Sequence, residues 1–120
     1  MRLLIALRSE AIANLLSAAL SENEIHICAT GPETISVLDT LQPDALILDL
    51  RLYGMDGITV LQNARHKPPV ILALTDIVTD SILESAADAG VQDVILIPCT
   101  IGYIIEHLKA LIEKAPSPDP

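Results

Sequence analysis

Asp44-Ala45-Leu46-Ile47-Leu48-Asp49-Leu50-Arg51-Leu52-Tyr53-Gly54-Met55-Asp56-Gly57 is the stretch on which the fold turns. Ala45 to Leu48 are four aliphatic residues in a row with no polar face. They read as a strand covered on both sides, the condition of a parallel sheet between layers of helix. The run stops at a carboxylate, Asp49, and a glycine-containing loop leads on to Ile58, Leu61 and Ala64, spaced for one helix face. A carboxylate at the C-terminal edge of such a strand is chemically accessible.

Outward from this unit the pattern repeats. Leu3 to Leu7, Glu24 to Ala29, Val70 to Leu74 and Val94 to Ile97 read as the other strands. Glu24 to Ala29 alternates polar and apolar residues, as a half-exposed edge strand would. Between strands, Ile12, Leu15, Leu16, Ala19 and Leu20 give a first helix that Ser9 can cap. Ile35, Leu38 and Leu41 line a second, with Pro32 in its first turn. Ser81-Ile82-Leu83-Glu84 reads as a capping box opening the fourth, and Ile104, Ile105, Leu108, Leu111 and Ile112 stripe the last.

Five strand-helix units predict an α/β fold, a (βα)5 three-layer sandwich around a parallel five-stranded sheet. The expected order is the flavodoxin-like 2-1-3-4-5. In that order, ligand chemistry gathers at the C-terminal ends of strands one, three and four. The domain is expected over residues 1–114, and the proline-rich 115–120 as a tail or the start of a linker.

Composition narrows the function classes. The 120 residues suit one core. The chain is 51% hydrophobic but 2% aromatic, so Leu, Ile, Val and Ala must build that core. A formal charge of −9 argues against direct nucleic-acid contact by this domain, which would need a basic surface. No apolar run approaches the roughly 18–20 residues of a membrane span, and Arg2 and Arg8 bracket too short a run for a secretory signal. Cys28 and Cys99 have no metal-ligand spacing and are expected to be free thiols. A cytoplasmic location is expected. His26, His66 and His107 show no ligand spacing, and surface roles are expected for them and for Glu10.

From Arg2 to about Glu113 the chain resembles the receiver domain of bacterial two-component response regulators. Met55-Asp56-Gly57 matches the family's usual Met-Asp-Gly after the acceptor strand. The resemblance implies that Asp49 is the phosphoacceptor for a histidine kinase, and that Thr75 is the switch-like hydroxyl that senses the phosphoryl group. Residue type alone favours a loop-capping carboxylate at Asp49 and an ordinary strand-end threonine at Thr75; their joint placement in this fold favours the family-derived site.

The departures carry more. Where the family places two acidic residues to hold Mg²⁺, this chain has Leu7 and Arg8. Where it ends strand five with Lys-Pro, this chain has Ile97-Pro98, and the family's example implies a cis bond there. Val94 stands where the family often has an aromatic residue. An aliphatic Ile97 cannot pair with phosphoryl oxygens, and Asp49 alone is a poor cage for a hard cation. Arg8 is expected either to reach Asp49 or Asp76 as an internal ion pair, or to point to solvent.

The reading that follows is a non-enzymatic pseudo-receiver with no cofactor. It would act through a signalling partner, a histidine kinase or an effector domain, or as a homodimer. The resemblance implies the face of helix four, strand five and helix five for dimerisation, offering Ile101, Tyr103, Glu84, Asp88 and Lys109. Two alternatives stand beside it. One is a conventional receiver phosphorylated on Asp49, with Glu10, Asp56 or Asp76 rebuilding an Mg²⁺ site. The other is a small flavodoxin-like ligand binder, which would lack a glycine-rich phosphate loop at Arg8-Ser9-Glu10.

Overall fold

Five strands form one parallel sheet in the computed structural model, which describes residues 1–115. They are Arg2–Ala6 (β1), Glu24–Cys28 (β2), Ala45–Asp49 (β3), Val70–Thr75 (β4) and Asp93–Leu96 (β5), in spatial order β2-β1-β3-β4-β5. The helices are Glu10–Ala19 (α1), Gly31–Leu41 (α2), Gly57–Asn63 (α3), Asp80–Asp88 (α4) and Ile101–Lys114 (α5). This is the expected flavodoxin-like order. The proline-rich tail, from residue 116 on, lies outside the described residues.

Strand side chains alternate between two cores, one on each face of the sheet. Leu4, Leu46, Leu48 and Ile71 pack with Leu38 of α2, Val60 and Leu61 of α3 and Ala86 of α4. Leu3, Ile5, Ile47 and Leu72 pack with Ala13 and Leu16 of α1 and Ile104 and Leu108 of α5. Burial on both faces explains why β1, β3 and β4 are continuous aliphatic runs, while edge strand β2 leaves Ile27 exposed.

Two helix readings need correction. α1 buries Ala13 and Leu16, with its C-cap Leu20 and, in part, Ile12 beside them; Leu15, 57% exposed, and Ala19 face solvent. A ten-residue helix presents only a narrow face to one sheet, and the small Ala13 allows closer approach there than Leu15 would. At α4, the N-cap is Thr79, not Ser81: Thr79 is extended and its hydroxyl accepts the Ile82 N–H at 3.1 Å. This puts Asp80 in the first turn, where the helix dipole favours a negative charge, and leaves Ser81 inside the helix. Ser9 caps α1 by accepting the Ile12 N–H.

Between β3 and α3, where the glycine-containing stretch predicts only a loop, the chain makes a short antiparallel ribbon, Arg51–Leu52 against Met55–Asp56. Gly54 turns it at φ +78°, a conformation that favours glycine. The ribbon also bonds to the chain leaving β2: Gly31 N–H donates to the Tyr53 carbonyl at 2.9 Å, and Tyr53 N–H to the Ala29 carbonyl at 3.3 Å.

Candidate functional site: the carboxylate at the end of strand three

β1, β3 and β4 lie side by side, so their C-terminal ends bring Leu7, Arg8, Asp49, Thr75 and Asp76 to one edge of the sheet. Asp49, expected to be accessible at the strand edge, is only 6% exposed, because the backbone of the following loop and Arg8 close over its oxygens. Burying a carboxylate is costly unless its oxygens are bonded, and here both are. Oδ1 accepts the Arg51 N–H at 2.9 Å and Oδ2 accepts the Arg8 N–H at 3.3 Å. The Arg8 guanidinium adds charge, with Nε 3.6 Å from Oδ2.

Asp76 faces a different cation. Arg51 Nη1 stands 3.0 Å from both of its oxygens, and this guanidinium holds the Asp76 carboxyl below the usual carboxylate range. Arg8, which the sequence reading offered to either acid, makes its ion pair with Asp49. Sequence spacing alone assigns Arg51 no role. The available signal was a base two residues past Asp49, on the loop facing the end of β4.

Leu7 is buried at 3% exposure and extends the core on the α1 and α5 side. Thr75, 2% exposed, turns its hydroxyl to its own loop, donating to the Ile77 carbonyl at 3.1 Å and accepting the Ile77 N–H at 3.3 Å. Ile97 packs against that same core, and the Ile97–Pro98 bond is cis. Beside the site, a cleft of about 410 Å³ opens between the ribbon, α3 and α4, with Arg51, Asp56 and Thr75 among its walls.

The arrangement does not fit a hard divalent cation. Mg²⁺ takes several oxygen ligands in octahedral array, and here a single carboxylate is bonded through both oxygens and flanked by a guanidinium. The other acids are committed or apart. Asp56 caps α3 through Thr59, Asp76 is held by Arg51, and Glu10 is exposed at the start of α1. Among the described residues no three His, Cys, Asp or Glu side chains converge.

Comparison with known proteins bears on the family and the fold. The family model described as the response regulator receiver domain matches residues 5–109. The transcriptional regulatory protein TcrA of Mycobacterium tuberculosis is 29% identical over 125 residues, covering 99% of this chain and 49% of the relative. TrcR of the same organism is 26% identical over 120 residues, covering 95% and 46%. The chain thus spans about half the length of the curated relatives it matches. A CheY-like receiver domain from Methanospirillum hungatei superposes with a TM-score of 0.84 at 23% identity, covering 93% of this chain and 94% of that one. A two-component response regulator from Clostridium difficile gives 0.84 at 21%, covering 95% and 97%. These two likenesses speak to the fold.

Proposed function

The chain belongs to the response regulator receiver domain family, and from that premise we propose that it is a pseudo-receiver, controlling an effector by protein interaction or dimerisation rather than by metal-dependent phosphorylation. The observation that carries this reading is the state of Asp49. Its oxygens accept two backbone N–H groups and its charge faces Arg8, so an internal cation stands where phosphoryl transfer would need a metal. The reading needs no cofactor and assigns no catalytic residue.

The face of α4, β5 and α5 supports an interface role. Leu83, Leu96 and Tyr103 are 41%, 56% and 46% exposed there, and Ile77 and Val78 are exposed in the loop before α4. The partner is a second copy or a signalling protein, a histidine kinase or an effector domain. Because the relatives are about twice as long and are transcriptional regulators, the effector would control transcription, with DNA contact made outside this acidic domain. No helix among the described residues is long and apolar enough to cross a membrane, and a cytoplasmic site of action fits the reading.

One observation favours a working acceptor instead: Asp49 sits opposite Leu74, one residue before Thr75, so carboxylate and hydroxyl residue both stand at adjacent strand ends. Intact-mass analysis after incubation with acetyl phosphate and Mg²⁺ separates the two. The expected result is no adduct and no response to beryllofluoride. A single phosphoryl adduct that disappears in Asp49→Asn would overturn the pseudo-receiver reading.

A further inference from the structure

The end of the sheet opposite Asp49 carries a feature that the signalling role does not use. The loop from α3 to β4 reads Arg65-His66-Lys67-Pro68-Pro69, and it gathers positive charge in a chain whose net charge is −9. Three of the four arginines face carboxylates: Arg2 with Glu24, Arg8 with Asp49 and Arg51 with Asp76. Arg65 has no carboxylate within ion-pair distance among the described residues, and neither has Lys67.

These cations border a cleft of about 380 Å³ whose walls also include Gln42, Pro43 and Pro69. That volume falls within the range of small-molecule sites. The loop is held in place from behind: one oxygen of Asp39 accepts the Arg65 N–H at 2.8 Å and the His66 N–H at 3.2 Å. Asp44, the one acid in the wall, already accepts the Arg2 N–H at 2.8 Å. His66 stands against Gln42 on one side and Asp39 on the other. Pro69, the exposed proline of the wall, offers a rigid apolar surface that loses no side-chain freedom on binding.

We propose that this cleft is a binding site for a small organic phosphate, with Arg65 and Lys67 on the phosphate oxygens and the organic part against Pro69. A guanidinium matches a phosphate through two parallel N–H bonds, and an ammonium adds a point charge beside it. Lys67 also donates to the carbonyl of Ala89, the C-cap of α4, at 3.3 Å. A ligand that draws Lys67 away would thereby touch the end of the helix that borders the apolar face.

The test is an amide chemical-shift titration of the full chain with phenyl phosphate, with sodium chloride at matched ionic strength as control. Benzoate and a short acidic peptide serve as competing probes. The expected result is a saturable response at Gln42, Arg65, His66 and Lys67 that salt does not reproduce. Arg65→Ala and Lys67→Ala, both at exposed side chains, are each expected to weaken it about tenfold. Three results would each overturn the proposal: no saturation, an equal response in both variants, or tighter binding of benzoate or the acidic peptide than of phenyl phosphate. The unchanged amide spectrum of the variants elsewhere checks that the fold is intact.

Discussion

Arg8 meets Asp49 twice, through its backbone N–H at 3.3 Å and its side-chain Nε at 3.6 Å from the same carboxylate oxygen. The two contacts differ in worth. The guanidinium is 39% exposed and screened by water, whereas the carboxylate it faces is nearly buried. Arg8→Ala is therefore expected to lower stability by less than about 1 kcal/mol. Asp49→Ala strips the acceptor from two backbone donors and should cost about 1–3 kcal/mol. Urea unfolding of the two variants checks the order; an Arg8→Ala loss larger than that of Asp49→Ala would contradict it.

Replacing Arg8 by an acid should bring metal sensitivity to the site. Arg8→Asp sets two carboxylates together, a repulsion that a divalent cation relieves. The variant is expected to be less stable than the parent without metal and to regain stability with added Mg²⁺. The parent is expected to give no such response, and thermal melts with and without Mg²⁺ compare the two directly.

Asp76 gives a pH prediction. The Arg51 guanidinium lowers its folded-state pKa below the ordinary value of 3.8. A depressed carboxyl pKa means stability that is present above the unfolded value and is lost as pH falls through the folded one. The Asp76 carboxyl carbon should titrate below the ordinary Asp range by NMR, and Arg51→Ala should return it there. Both side chains are well exposed, so the consequence for overall stability is small.

Gly57 is where α3 leaves the acceptor loop, and a Cβ there would stand 2.7 Å from the Asp49 carbonyl oxygen and 3.0 Å from the Leu50 Cα. Backbone cannot yield as a side-chain tip can. Gly57→Ala is expected to cost about 1–3 kcal/mol and to shift the amides of Asp49, Leu50 and Arg51. An unshifted Asp49 amide would show that the helix start moves instead.

The thiols should differ sharply in reactivity. Burial, reinforced by nearby Glu33, pushes Cys28 up to about 12, while the partly exposed Cys99 is raised by burial alone. Only the thiolate reacts. Iodoacetamide at mildly alkaline pH is expected to label Cys99 first and Cys28 only when urea is added, as peptide mass mapping would show.

The sheet was legible because burial on both faces leaves a mark in the sequence: β1, β3 and β4 are runs of aliphatic residues, and β2, at the edge, alternates. Helix phase was legible only in part. Leu15 has the right spacing but lies outside the narrow contact face of α1, and periodicity alone does not say how wide that face is. The Ser81 box failed because Thr79, two residues earlier, is extended and reaches the same turn. At the site, the residue types at Leu7, Arg8, Asp49, Thr75 and Ile97 could be read directly. The Arg51 to Asp76 pair could not, since residues 25 apart meet only through the neighbouring ends of β3 and β4 and the reach of one long side chain.

The ribbon that carries Arg51 has a mechanical meaning. Tyr53 is stitched to Ala29 and Gly31 by two backbone bonds, and Thr30 between them caps α2 through the Glu33 N–H. At its other end the ribbon runs into Asp56, which caps α3. One short segment therefore pins the starting turns of two helices and, through Arg51, the end of β4. The three anchor points are thus joined by a single segment that begins two residues after Asp49.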